Sequence, residues 1–252
     1  MVLPVEVVPE PTGLREVQPR LLLITPPNSY RTAAYLAAAR RRAIDVLVAS
    51  EGRYSLVSEL VAGLQVDLGE PSALQQLLAA SARQAFAGVV ATDDAVVELG
   101  SRIAEALDLP HNPPAAAQSS RRKDLSRRLL ADAGVPVPGH CCIRLDAPLD
   151  PQLTAVSFPC VVKPVALSGS RGVIRADSAS ELVVAIERVR QILAREYADA
   201  TELSMQVLVE DFVPGREVAV EGMLGRGKLA VLALFDKPDP LDGPFFEETY
   251  YI

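Results

Sequence analysis

Tryptophan is absent, aromatic residues make up only 5% of the 252 positions, and there are two histidines and three cysteines. Each scarcity excludes something. His111 and His140 sit in linkers flanked by proline or glycine, which leaves little for histidine-based catalysis. Cys141, Cys142 and Cys160 have neither CxxC spacing nor histidines nearby, and adjacent cysteines rarely form a structural bridge, so zinc and disulfide frameworks are both disfavoured. Reduced, buried thiols are expected instead.

No apolar run has the length of a membrane span. The start, MVLPVEVVPEPTGLREV, lacks the basic and apolar regions of a signal peptide, so a cytoplasmic protein without membrane contact is expected. Basic charge is also short, with 25 Lys and Arg against 32 Asp and Glu for a net charge of -7. Phosphate backbones usually need a basic face, which argues against nucleic acid as a partner. Any anion must be held locally.

Two familiar glycine motifs are missing as well. There is no GxGxxG, and prolines follow the first apolar run where a dinucleotide fold needs glycines; no GxSxG marks a hydrolase nucleophile. GMLGRGKL, Gly222 to Leu229, nearly matches a P-loop, but Leu229 stands where a magnesium-binding Ser or Thr belongs. Its flanks alternate like strands, so a hairpin turn is the better reading.

What is present is an ordinary globular mix, 49% hydrophobic and 23% charged, long enough for one large domain or two smaller ones. Residues 1–19 read as a loose arm rich in Pro and Glu. From residue 20 to 117, short apolar runs (RLLLIT, AIDVLVA, LQVDLG, FAGVVATDD) alternate with helical segments (YRTAAYLAAARRR, SALQQLLAASARQ, AVVELGSRIAEALDL), the pattern of parallel α/β layering. FAGVVATDD reads as a strand ending in a helix cap.

Residues 118–138 hold a basic amphipathic helix, RRKDLSRRLLADAG, closed by Gly134 and followed by the proline connector VPVPG. A new unit starts near Gly139. It carries the strand FPCVVKP, a Gly/Ser loop, the strand GVIRA, and a long helix with a capping box on Ser178 and Glu181. The strands MQVLVEDFV, REVAVEGML and KLAVLALF follow, the last two joined at Gly225-Arg226-Gly227, and this second half reads as an antiparallel α+β module.

Three stretches invite chemistry. In VVKPVALSGSRGV, Lys163 ends an apolar strand, where an ammonium is costly to bury without a counter-charge, and Ser168 to Gly172 can bring backbone N–H groups to phosphate oxygens. In VLVEDFVPGREVAVE, the edge from Glu210 through Asp211 and Phe212 to Val213 offers backbone groups to a base, with Glu217 placed to accept from ribose hydroxyls. The cluster Arg121, Arg122, Lys123, Arg127 and Arg128 would ordinarily be a solvated helix face.

In this order, RRKDLSRRLLADAGVPVPG, FPCVVKP with SGSRGV, and VEDFVPGREVAVEG resemble the ATP-grasp superfamily, and the tail LFDKPDPLDGPFFEETYYI is similar to its carboxylate–amine ligase, biotin-carboxylase-like branch. The resemblance implies a preATP-grasp domain at 20–117, a lid subdomain at 139–213 and the start of the ATP-grasp core at 214–252. It implies that Lys123 and Lys163 approach ATP phosphates, that Gly169, Ser170 and Gly172 close over them, that Glu210 to Val213 line adenine, and that Glu217 holds ribose. Arg121, Arg122, Arg127 and Arg128 keep the solvated reading.

The activity implied is ATP-dependent joining of a small-molecule carboxylate to an amine through an acylphosphate, forming ADP, with Mg2+. The resemblance implies magnesium ligands after the segment similar to FFEETYYI, hence beyond Ile252, and Glu221, Glu247 and Glu248 match no metal-binding motif. The alternative is a short nucleotide-binding or regulatory subunit without turnover. A homodimer, or a partner chain completing the core, is the assembly that the resemblance allows.

Overall fold

The computed structural model describes residues 20–51, 63–69, 71–82, 85–197 and 199–237. The predicted Pro- and Glu-rich arm and the final FFEETYYI lie outside the described residues. The chain divides into two compact units, Met1–Pro114 and Ala115–Ile252.

The first unit is built on a four-stranded parallel sheet in the order β3-β2-β1-β4, from β1 (Arg20–Ile24), β2 (Asp45–Ser50), β3 (Gly63–Gln65) and β4 (Gly88–Ala91). Leu22, Leu23, Ile24, Val48 and Ala49 are nearly inaccessible. Strands buried on both faces need continuous rather than alternating apolar runs, which is how RLLLI and DVLVA read. Helices α1 (Thr32–Arg41), α2 (Ala73–Ser81) and α3 (Val97–Ala106) complete the layers.

Two element ends depart from expectation for one reason. Ala43 takes φ 53° and Asp108 φ 53°, so each closes its helix in the left-handed region. Ile44 N–H then donates to Ala39 O, and Leu109 N–H to Ala104 O, the paired termination that usually uses glycine. The second strand, expected from Ala43, therefore starts at Asp45, and the helix expected to reach Leu109 stops at Ala106. Asp93 is not a helix cap by its side chain either: its carboxylate accepts from Thr92 Oγ1 at 2.5 Å and Arg31 Nη1 at 3.1 Å, ahead of a single 3-10 turn at Asp94–Val96.

Helix α4 (Pro114–Arg121) precedes the basic helix; Pro114 stands at its first position, where a missing N–H costs nothing. Arg122, at φ -90° and ψ 102°, breaks it from α5 (Lys123–Asp132). The central sheet is antiparallel in the order β5-β8-β6-β7, from β5 (His140–Arg144), β6 (Cys160–Pro164), β7 (Ile174–Ala176) and β8 (Gln206–Asp211). A one-turn helix, α6 (Asp150–Leu153), follows β5. The 18-residue α7 (Ala179–Glu196) lays Leu182, Ile186, Val189 and Leu193 against Ile143, Cys160, Val162, Val207 and Val209.

That core fixes which side chains face away from it. In β6 the alternation of side chains turns Val161 and Lys163 to the opposite face from Cys160 and Val162. In β8 the same rule puts Glu210 on the Lys163 side.

A separate hairpin, β9 (Glu217–Gly225) and β10 (Lys228–Lys237), turns at Arg226 and Gly227, both with positive φ, as the near-P-loop stretch was read. No helix among the described residues is long and apolar enough to cross a membrane.

Candidate functional site

Lys163 and Glu210 meet because β6 and β8 pair antiparallel with Val161 opposite Glu210, which sets Lys163 one step along the same face. Lys163 Nζ bonds Glu210 Oε2 directly, with side chains 14% and 5% exposed. From α5, Arg127 Nε donates to the other carboxylate oxygen at 2.6 Å. Two cations therefore converge on one nearly buried carboxylate. Burial alone would raise the Glu210 carboxyl, but the Lys163 charge and the hydrogen bonds from Lys163 and Arg127 hold it below the ordinary glutamate value.

Lys123 reaches the same neighbourhood through the segment that follows β6. Its backbone N–H donates to Val165 O at 2.8 Å, and its ammonium donates to Leu167 O. The start of α5 is thereby bound to the stretch between Lys163 and the Gly/Ser loop.

The loop keeps the geometry its glycines promise. Gly169, Ser170 and Gly172 have φ of 64°, 51° and 75°. Gly172 has a second reason to lack a side chain, since a Cβ there would sit 3.0 Å from Pro164 Cγ. Arg171 leaves the loop to bond Glu196 at 2.8 and 3.3 Å, which ties the flap to the last turn of α7.

At the end of β8, Asp211 N–H donates to Gly139 O at 2.8 Å and Phe212 N–H to Pro159 O at 3.0 Å. Those two donors are used within the fold. Val213 is 60% exposed and is the next residue along the edge. Phe212 carries the Arg175 guanidinium over its ring at 4.3 Å. Glu217, at the start of β9, accepts from Lys237 Nζ at 2.6 Å.

The solvated reading fails for two arginines. Arg127 is bound to Glu210, and Arg122 is only 11% exposed, donating to both oxygens of Asp124 at 2.8 and 2.6 Å and to Glu202 at 3.2 Å. One sequence signal was available for Arg127: it lies four residues after Lys123, hence on the same helix face. The expectation of three buried thiols is also corrected. Cys160 is buried and its thiol is pushed up to about 11, first by burial, but Cys142 is exposed because alternation along β5 turns it outward. His140, read as a linker residue, begins β5.

Among the described residues no three His, Cys, Asp or Glu side chains gather where they could hold a metal ion. The site is a cluster of cations around one carboxylate, beside a glycine flap and the exposed residue that follows β8.

Residues 156–252 match the family model of the ATP-grasp domain. This part of the chain is similar to ATP-grasp domains. The fold agrees over a much longer stretch: an L-amino acid ligase from Bacillus licheniformis superposes with a TM-score of 0.74 at 25% identity, over 92% of this chain and 54% of that one. A D-alanine–D-alanine ligase of Pseudomonas putida is 27% identical over 124 residues, 48% of this chain and 36% of its own length. An uncharacterized protein of Sinorhizobium fredii is 32% identical over 138 residues, 55% of this chain and 28% of its own. The chain thus spans about a third of these curated relatives' length. Lys163, the flap and the end of β8 all fall inside the matched ATP-grasp segment, whereas Lys123 and Arg127 precede it.

Proposed function

We propose that residues 115–237 bind ATP, with Lys123 and Lys163 on the phosphates, Gly169, Ser170 and Gly172 closing over them, and the base lying along Asp211, Phe212 and Val213. The observation that carries this is the charge count on the buried face of β6 and β8. Lys163 and Arg127 bring two positive charges to one Glu210 carboxylate, so an anion arriving there is met by a surplus of cation in a place water barely reaches.

The Glu210 side chain is committed to that ion pair, so its part in holding adenine falls to its backbone. With the N–H groups of Asp211 and Phe212 used inside the fold, the base finds its donor at Val213. Glu217 serves ribose hydroxyls while sharing a carboxylate oxygen with Lys237. No three His, Cys, Asp or Glu side chains gather among the described residues, and the roles assigned to them stop at the nucleotide.

The whole protein is, on this reading, an ADP-forming carboxylate–amine ligase of the amino-acid type, acting through an acylphosphate. The names of its relatives, an L-amino acid ligase and a D-alanine–D-alanine ligase, support that class. A lysine clamp and a closing flap supply what the chemistry needs, which is charge neutralisation and exclusion of water.

Lys163→Ala tests the clamp. It removes a charge-assisted contact of about 1.5–3 kcal/mol, so ATP affinity measured by calorimetry should fall about tenfold to a hundredfold. Unchanged affinity refutes the clamp. The reaction class is tested by ADP release from the intact gene product with a panel of acids and amines; ATP binding without ADP from any pair removes the ligase and leaves a nucleotide-binding subunit.

That second reading has one structural observation in its favour. Val218, Val220, Leu224, Leu229, Val231 and Leu234 form one face of the β9–β10 hairpin and are all about half exposed or more. Such a face calls for cover, by further chain or by a partner.

A further inference from the structure

Neither the sequence motifs nor the family match assigns Arg127 any part in the site. Its position says otherwise. Lys163 is placed to hold an anion, yet it is already bonded to Glu210, whose side chain is 5% exposed. To reach a phosphate, the ammonium must loosen its hold on that carboxylate. A carboxylate left alone in such a place is costly, because burial removes its water and nothing replaces it. Arg127 is the group that keeps this from happening, since its Nε–H already holds the second oxygen, Oε1, at 2.6 Å.

We propose that Arg127 is a positioning residue for nucleotide binding: it retains the Glu210 charge when Lys163 turns from Glu210 to the phosphates. No covalent bond changes. A single salt-bridge partner is exchanged, from carboxylate to phosphate, and the buried carboxylate stays paired throughout. The helix geometry suits this, because Arg127 follows Lys123 by four residues on α5, and Lys123 is anchored at Val165 and Leu167 directly after the Lys163 strand. One helix face thus serves both lysines, holding one by its backbone and the other by its counter-ion. Arginine suits the task better than lysine by its fixed fork and weaker hydration.

The inference rests on the proposed ATP site, and ATP compared with adenosine separates the two. Adenosine has no phosphate to draw Lys163 away. Arg127→Gln removes the charge while keeping a hydrogen-bond donor, and Arg127→Lys keeps the charge. The Gln variant should weaken ATP on the order of tenfold or more while leaving adenosine within about threefold, and the Lys variant should recover most of the ATP affinity. Equal losses for ATP and adenosine, or no loss for ATP, overturn the proposal. If the unsubstituted chain binds neither ligand, it is the nucleotide site itself that fails. Should the Gln variant not fold, the unsubstituted chain still decides: the Arg127 Nε–H resonance should stay protected from solvent exchange at saturating ATP, and loss of that protection overturns the role.

Discussion

Glu210 must stay ionised where water barely reaches it, and it does so only because Lys163 and Arg127 both hold it. The dependence on acid follows from the direction of its shift. Burial alone would raise the carboxyl, yet the two cations bring it below the ordinary glutamate value. A carboxylate lowered in the folded state contributes stability that is fully present above its unfolded pKa, about 4.5, and is lost as the pH falls through the lower folded value. Thermal melts should therefore shift downward below about pH 4.5, with Glu210→Gln showing a shallower fall over that window. A variant with the same slope as the unsubstituted chain would show that other carboxylates, such as Asp124, carry the acid sensitivity.

The same residue marks the limit of what the sequence discloses. Lys163 was legible, because C-V-V-K-P read as a strand alternates Cys160 and Val162 to one face and Lys163 to the other. Its counter-ion was not, since Glu210 lies 47 residues away and pairs only through the β6–β8 register. Arg127 lies farther still, 83 residues from Glu210, and no local pattern links them.

Elements were read more securely in their kind than in their ends. Short apolar runs alternating with helical segments announced the parallel sheet, and strands following one another across short turns the antiparallel module. The errors sit where a non-glycine residue takes the left-handed region, as Ala43 and Asp108 do, since their side chains give no warning of it. At α7 the local signal held. Ser178 accepts from Glu181 N–H at 3.3 Å, and the Glu181 carboxylate reaches back to the Asp177 N–H at 2.9 Å, one residue ahead of the cap itself.

This helix covers the core face of the sheet that carries Lys163 and Glu210, so loosening its start tests how far the site depends on its support. Ser178→Ala should cost about 1 kcal/mol and lower the melting temperature by about 2–4 °C. ATP affinity should remain within about threefold of the original, because the cap lies at the exposed end of α7 and touches none of the site residues. A larger loss of affinity would mean that the flap, which Arg171 ties to the far end of this helix at Glu196, senses the helix as a whole.

Across the whole chain, the charge of -7 opposes the approach of a polyanion, so the nucleotide must be held by local groups rather than by the overall field. Every residue assigned to it lies in the second of the two compact units. Linkage then says where the binding energy appears: a ligand at a hundred times its dissociation constant stabilises the part that holds it by about 2.7 kcal/mol. Hydrogen exchange followed with and without saturating ATP reads this strand by strand. Amides of β6, β8 and the first turn of α5 should slow most, with the loop from Ser168 to Gly172 gaining protection as it closes. Adenosine should protect the end of β8 and leave the loop unchanged, since the flap has no phosphate to cover. Protection greatest in β1 and β4 would place the nucleotide on the parallel sheet and dismiss the lysine site altogether.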